Sequence, residues 1–255
     1  MDTHAVRFPT APTWYRPVLA LEERVLYRLR DRIPTTAHLH GDDEQTANYA
    51  VNERLGVKAA ERIVPGANAS PYMVQHVARY VWAMAACGGR SVVDLGSGDD
   101  YGTFMLSWVA SDATGIDISQ LAVNRARQLY AGPVYRCADL ADPDSLPAAD
   151  IGVCFEVLEH VANAPDLLAA VGKRLPRLLL SIPNPLVGGS HINPHHVNDW
   201  PLSHLKGVLG SAGATRIRAY HQHVRGYHVG RRAAPWHGTW LLDVYFRKQH
   251  DSLSE

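Results

Sequence analysis

From Arg90 onward, short apolar runs alternate with segments of helical periodicity, and this alternation limits the fold more than any other feature. The apolar runs are SVVDLG, ATGIDI, PVYRCADL, ADIGVCFEV and RLLLSIP. The helical patterns between them cover Tyr101–Val109, Ser119–Tyr130 and Ala164–Arg174. Parallel strands need long crossover connections, usually helices, so the pattern predicts an α/β fold with a mostly parallel sheet and helices on both faces.

The end of the chain follows a different pattern. After a predicted helix over Pro201–Ala212 come two strand-like runs, ATRIRAYHQHV and TWLLDVYFRK. No helical pattern separates them, so we expect them to pair antiparallel through the loop RGYHVGRRAAPWHG. The sheet should therefore end in an antiparallel hairpin strand.

Residues 1–60 differ from the remainder and predict a helical N-terminal extension to a main domain over residues 61–255. Apolar residues recur at helical spacing through VLALEERVLYRLRDRI, and Pro34 ends this helix before the polar loop TTAHLHGDDEQTAN. The extension could cap the main domain, close over a ligand or form a homodimer, and a packing role is the favoured interpretation. A second helix is predicted from Ser70 to Ala86, with Ser70 as N-cap.

The amino-acid composition limits the binding partners and the cellular location that we expect for this protein. The 255 residues include 25 basic and 25 acidic side chains, and this balance argues against a nucleic-acid partner. Three cysteines without CxxC spacing indicate reduced thiols and a cytoplasmic protein. Neither a long apolar stretch nor a signal-peptide pattern is present, so we expect no membrane span and no export.

The charge balance is uneven along the chain. Between Pro201 and His250, the only acidic residue is Asp243, against eight basic residues: Lys206, Arg216, Arg218, Arg225, Arg231, Arg232, Arg247 and Lys248. This segment is either a solvated basic face or a docking surface for an anionic small-molecule acceptor.

The predicted strands end in residues suited to binding a nucleoside. The first ends in a glycine turn, Asp94-Leu95-Gly96-Ser97-Gly98, which allows the backbone close to a ligand. Asp117 closes the second strand, where its carboxylate can accept hydrogen bonds from ribose hydroxyls, and Asp139 closes the third. Open α/β sheets bind ligands at the carboxyl ends of their strands, so these acids should share one crevice.

These motifs resemble those of the class I S-adenosylmethionine-dependent methyltransferases, over roughly Glu61 to Lys248. The matching segments are VVDLGSGDDYG, TGIDIS, CADLAD, FEVLEHV and LLLSIPNP. The resemblance implies a Rossmann-like seven-stranded sheet with S-adenosylmethionine as cofactor. It assigns cofactor binding to Asp94, Gly96, Gly98, Asp117, Ile118, Asp139, Glu156 and Arg79. Asp100 stands where many relatives have a third glycine. An NAD-binding Rossmann domain is the competing fold, but it would normally lack an acid at Asp94.

The segment FEVLEH could form a metal site, and the sequence leaves a site with a metal and a site without one open. In a helical turn, Glu156, Glu159 and His160 would lie on one face. The loop after the fifth strand adds His191, His195 and His196, and we predict Glu156, Glu159, His160 and His196 as ligands. Oxygen-rich ligation suits Mg²⁺ or Mn²⁺, whereas more imidazole favours Zn²⁺. In the alternative without a metal, His160, His195 or His196 acts as general base.

The metal pattern resembles two methyltransferase groups. One comprises the quinone-biosynthesis O-methyltransferases. The other comprises the small-RNA 2′-O-methyltransferases, whose later histidine precedes a tryptophan by four residues, as His196 precedes Trp200. The favoured function is methyl transfer to a hydroxyl of a sugar, nucleotide-linked sugar or natural product. Metal-dependent RNA 2′-O-methylation is the alternative, and a non-catalytic binding protein is the third hypothesis.

Overall fold

The computed structural model describes residues 71–99, 101–185, 196–223, 229–230 and 237–247. The predicted N-terminal extension lies outside these residues. So do Asp100, His191, His195 and much of the basic segment, including Arg225, Arg231 and Arg232.

The described part of the chain forms one eight-stranded sheet in the order β3-β2-β1-β4-β5-β8-β6-β7. The strands are β1 Ser91–Leu95, β2 Asp112–Asp117, β3 Val134–Cys137, β4 Ile151–Phe155, β5 Arg177–Pro183, β6 Ala214–His223, β7 Val229–Gly230 and β8 His237–Phe246. Strands β1 to β5 pair parallel, so all five end at the same edge of the sheet. We call this the carboxyl edge.

Helices cover both faces of the sheet. They are α1 Pro71–Cys87, α2 Tyr101–Ser107, α3 Gln120–Leu129, α4 Ala164–Arg174 and α5 Leu202–Ser211. Side chains of α1, α2 and α3 form one buried apolar cluster, and side chains of α4 and α5 form the other. The sheet separates the two clusters, which gives the three-layered arrangement that the alternating sequence predicts.

The reversed last strand is confirmed. Strand β8 lies between β5 and β6 and runs antiparallel to both. The sheet has one strand more than the predicted seven, because the two-residue β7 pairs with β6 inside the segment predicted as a loop. A strand of two residues carries no periodic signal, so the sequence pattern did not reveal it.

The described helices also bear on the membrane question. None of them combines the length and the apolar composition that crossing a bilayer requires.

Candidate functional site

The glycine turn after β1 packs tightly against the segment that follows β4. Gly96 has φ of 71°, and a Cβ at this position would lie 2.5 Å from Cγ2 of Val157. Both the backbone conformation and the missing side chain therefore require glycine. The amides of Gly96 and Ser97 donate to the carbonyl of Ile116, at 2.8 and 3.0 Å, which joins the turn to β2.

Asp94 lies beneath this turn and is only 1% exposed. Its Oδ2 accepts hydrogen bonds from the Thr103 hydroxyl at 2.9 Å and the Tyr80 hydroxyl at 3.1 Å. Burial raises the pKa of Asp94 to about 7, although these two hydrogen bonds oppose the shift. The Tyr80 ring reaches Asp94 by lying against Gly102, where a Cβ would fall 1.9 Å from the ring.

Asp117 is held by backbone amides on both sides. Its Oδ1 accepts from the amide of Ser119 and its Oδ2 from the amide of Gly98, each at 2.9 Å. The predicted ribose-binding acid is therefore bonded to the glycine turn itself. The adjacent Ile118 is 67% exposed and offers an apolar surface beside it.

Asp139 lies just past the end of β3 and is exposed at the same edge. Its Oδ1 accepts a hydrogen bond from the amide of Ala141 at 2.9 Å, which fixes a turn. The acids predicted from the first three strands therefore lie at the carboxyl ends of three neighbouring strands. They differ in depth, since Asp94 is buried and Asp139 is at the surface.

The buried Arg79 connects helix α1 to the far side of this edge. Its Nε donates to Oε1 of Gln222 at 2.8 Å, and its Nη2 donates to Oγ1 of Thr239 at 3.2 Å. Its Nη1 lies 3.6 Å from Oε1 of Glu156. The same Glu156 oxygen accepts a hydrogen bond from the Ser181 hydroxyl at 2.7 Å. Arg79 and Glu156 thus belong to one polar network, and sequence reasoning did not identify Gln222, Thr239 or Ser181 as members.

Three of the four predicted metal ligands come together after β4. One ligand atom from each of Glu159, His160 and His196 lies within 4.8 Å of the others. The two imidazole rings have centroids 5.0 Å apart and an edge-to-face orientation. Glu159 is 1% exposed, whereas His160 is exposed. We call these three residues the Glu-His-His cluster.

Glu156, the fourth predicted ligand, is not a member of this cluster. The prediction placed it within a helical turn, but the turn is a short 3₁₀ segment, Leu158–His160, that begins two residues later. Glu156 itself has φ of 54° in the left-handed region. Its carboxylate points into the network of Arg79 and Ser181.

Asn198 brings His196 to the cluster, and sequence reasoning missed it. Its amide group donates to the carbonyl of Leu158 at 2.8 Å and to that of Val161 at 2.7 Å. The backbone amides of Val197 and Asn198 both donate to the carbonyl of Glu159, at 2.7 and 3.2 Å. These bonds join the segment before α5 to the turn after β4. The only signal in the sequence was an asparagine close to the histidine.

Part of the basic segment lies away from this site. Arg216 and Arg218 are exposed near the start of β6, where their guanidinium carbons lie 3.8 and 6.0 Å from the centroid of the Tyr245 ring. Arg177, at the start of β5, lies 5.0 Å from the same ring. Because β5 and β6 run in the same direction, these arginines are at the edge opposite the carboxyl edge.

The sequence and the fold of this chain are similar to those of known methyltransferases. The family described as "Methyltransferase domain" matches residues 93–176, from β1 to the end of α4. Among solved structures, the N-methyltransferase NodS of Bradyrhizobium japonicum, in complex with S-adenosylhomocysteine, aligns with a TM-score of 0.56 and 14% identity, over 79% of this chain and all of NodS. The N-terminal domain of EvdMO1 with SAH bound aligns with a TM-score of 0.52 and 17% identity, over 71% of this chain and 82% of that domain. The fold is that of the class I methyltransferases.

The sequence relatives carry named activities as well as a shared fold. A probable S-adenosylmethionine-dependent methyltransferase of Mycobacterium tuberculosis is 27% identical over 187 residues, covering 69% of this chain and 67% of that protein. The ubiquinone biosynthesis O-methyltransferase of Methylococcus capsulatus is 33% identical over 98 residues, 36% of this chain and 41% of its own length. Together with the fold, these similarities support a class I S-adenosylmethionine-dependent methyltransferase that uses S-adenosylmethionine as its cofactor.

Proposed function

We propose that this methyltransferase transfers a methyl group to a hydroxyl of a small molecule, aided by a divalent cation held by the Glu-His-His cluster. The convergence of Glu159, His160 and His196 beside the cofactor acids is the observation that carries the proposal. The O-methyltransferase named among the relatives supports an oxygen acceptor. A sugar, a nucleotide-linked sugar or a natural product fits this description.

The donor set fits a cation. One carboxylate and two imidazoles form the three-ligand set that catalytic zinc sites use, with a fourth position left for a ligand. Oδ1 of Asp199 lies 3.8 Å from Nδ1 of His196, so this carboxylate is beside the imidazole but beyond hydrogen-bond distance. With two imidazoles and one carboxylate, Zn²⁺ or Mn²⁺ suits the cluster better than Mg²⁺.

The roles of the side chains follow from where they lie. S-adenosylmethionine supplies an electrophilic methyl group, and a cation at the cluster would lower the pKa of a hydroxyl bound to it. Asp117 and Ile118 position the nucleoside, and the Gly96–Gly98 turn approaches the rest of the cofactor. Glu159 and His196 would hold the cation to which the acceptor hydroxyl binds. Without a cation, the exposed imidazole of His160 takes the acceptor proton, an effect worth roughly 10²–10⁴-fold in rate.

Metal titration tests the proposal. We expect Glu159→Gln to weaken binding of Zn²⁺ or Mn²⁺, measured by calorimetry on metal-free protein, by about tenfold or more. Glu156→Gln is the matched control, because it removes a neighbouring carboxylate that lies outside the cluster. Its metal affinity should equal that of the wild type. Wild-type affinity in Glu159→Gln, or equal losses in both variants, would contradict the proposed ligand set.

Methyl transfer from labelled S-adenosylmethionine identifies the acceptor class. A panel of hydroxylated sugars, nucleotide-linked sugars and phenols should contain acceptors whose methylation stops on chelation. RNA with a free 3′ end belongs in the same panel, because the spacing of His196 and Trp200 raised that alternative. Methylation of RNA alone, with a steep dependence on salt, would reject the small-molecule acceptor.

A further inference from the structure

Asp99 and Arg125 form a buried ion pair at the glycine turn. Nη2 of Arg125, on helix α3, donates to Oδ1 of Asp99, the residue that directly follows Gly98. Asp99 is 4% exposed and Arg125 is 6% exposed, so both charges are withdrawn from water. Neither residue belongs to the set that the sequence motifs assign to the cofactor.

The pair is poorly suited to stabilising the fold. Withdrawing two charges from water opposes their attraction, and apolar side chains of similar size often stabilise a protein as well or better. Arg125 adds to this penalty, because its Nε and Nη1 are buried and lack hydrogen-bond partners among the residues that the structure describes. The position of the pair is therefore a better guide to its role than any contribution to stability.

Its position indicates what that geometry controls. Asp99 and Gly98 are consecutive, and the Gly98 amide donates to Asp117 at 2.9 Å. Arg125 belongs to the helix that begins three residues after Asp117. Two neighbouring residues of the turn are thus joined to the same β2–α3 segment. Gly96 and Gly98 both have positive φ, and glycines leave a turn many alternative conformations that such links restrict.

We propose that the Asp99–Arg125 ion pair holds the Gly96–Asp99 turn in the conformation that receives S-adenosylmethionine, which makes Arg125 a positioning residue for cofactor binding. The inference rests on the proposed placement of the cofactor at this turn. It predicts that the pair governs cofactor affinity even where the fold is intact.

Calorimetric titration with S-adenosylhomocysteine tests the inference. We expect Arg125→Met to weaken binding by about tenfold. The double variant Asp99→Asn/Arg125→Met removes both charges, so it leaves no lone buried charge and should recover stability towards urea. Its affinity should remain about tenfold weaker than that of the wild type. A purely structural role would restore affinity together with stability.

Arg127→Met is the matched control. Arg127 lies on the same helix, but it is exposed and donates to the carbonyl of Tyr135 at 2.7 Å, away from the turn. We expect its affinity for S-adenosylhomocysteine to stay within about twofold of the wild type. Where Arg125→Met does not fold, the double variant decides the question.

Three outcomes would overturn the inference. In the first, the folded double variant binds S-adenosylhomocysteine as tightly as the wild type. In the second, Arg127→Met weakens binding as much as the changes at the pair. In either case wild-type binding is normal, so the cofactor site stands and only the role of the pair is rejected. In the third, the wild type itself does not bind S-adenosylhomocysteine, and the cofactor site and the inference are rejected together.

Discussion

Asp94 is a buried carboxyl whose charge depends on pH near neutrality. Its pKa rises from 3.8 to about 7 on folding, chiefly because burial disfavours the charged form. Between these values the folded protein retains a proton that the unfolded chain has released. This contribution to stability is complete below about pH 4 and is lost as the pH rises through about 7.

We expect Asp94→Asn to remove that pH dependence. Between about pH 5 and about pH 8, the wild type should lose on the order of 3 kcal/mol more of its free energy of unfolding than the variant loses. Urea-induced unfolding at the two pH values measures the difference. Asp139→Asn is a suitable control, because this aspartate is exposed at the same edge, and its profile should follow the wild type. Identical profiles for Asp94→Asn and the wild type would contradict the prediction.

Helix α2 illustrates packing between elements, because it approaches α1 through a glycine. Alanine normally favours a helix over glycine by about 1 kcal/mol. At Gly102, however, an added Cβ would fall 1.9 Å from the Tyr80 ring. We expect Gly102→Ala to destabilise the protein by about 1–3 kcal/mol, through overpacking and displacement of Tyr80 from Asp94. Thermal and urea unfolding measure the effect.

Gly207, in helix α5, provides the matched comparison. Among the residues that the structure describes, no atom beyond its chain neighbours and the backbone of its own helix lies within 4 Å of a Cβ built there. Gly207→Ala should therefore stabilise the protein by up to about 1 kcal/mol, as helix propensity alone predicts. A stabilised Gly102→Ala variant would show that the packing between α1 and α2 adjusts to the added methyl group at little cost in free energy.

Sequence periodicity was sufficient to predict β1 to β5, the crossover helices α2 to α4 and their order along the chain. The strands and crossover helices from Ser91 to Pro183 follow from local patterns, and so does the reversed last strand. The acids Asp117 and Asp139 could be placed for the same reason, since each directly follows a strand. The fate of Glu156 could not be predicted. It depends on a left-handed φ and on Arg79, 77 positions earlier in the chain.

The residues that position other residues could not be predicted from the sequence either. Asn198 acts on carbonyl groups about 40 positions away, and Arg125 pairs with a residue 26 positions away. In both contacts, the two residues are too far apart in the sequence to be related by helix or strand periodicity. Such contacts follow from the assembled fold, so a single sequence gives no local sign of them.

The whole sheet is joined through β8, which connects the parallel strands to β6. Arg177 on β5 donates from Nε to Oδ1 of Asp243 on β8 at 2.7 Å, and the Asp243 side chain is 4% exposed. Arg177→Met would leave this carboxylate buried without its cation, so we expect a loss of about 3 kcal/mol in the free energy of unfolding. Urea-induced unfolding measures the loss.

Arg174→Met is the control for that prediction. Its ion pair with Asp144 is exposed, with side-chain exposures of 36% and 92%. Such surface pairs contribute less than about 1 kcal/mol and weaken in salt. Equal losses in the two variants would show that the link between β5 and β8 has no special role in the sheet.

The contact between Gly96 and Val157 has a consequence for redesign of this enzyme. The valine methyl groups fill the space that a side chain at position 96 would need, and Val157 immediately precedes the turn that carries Glu159 and His160. The glycine turn and the turn that carries the Glu-His-His cluster are therefore interlocked. An engineer who reshapes one turn must expect the other to shift, and the two turns will have to be optimised as a single unit.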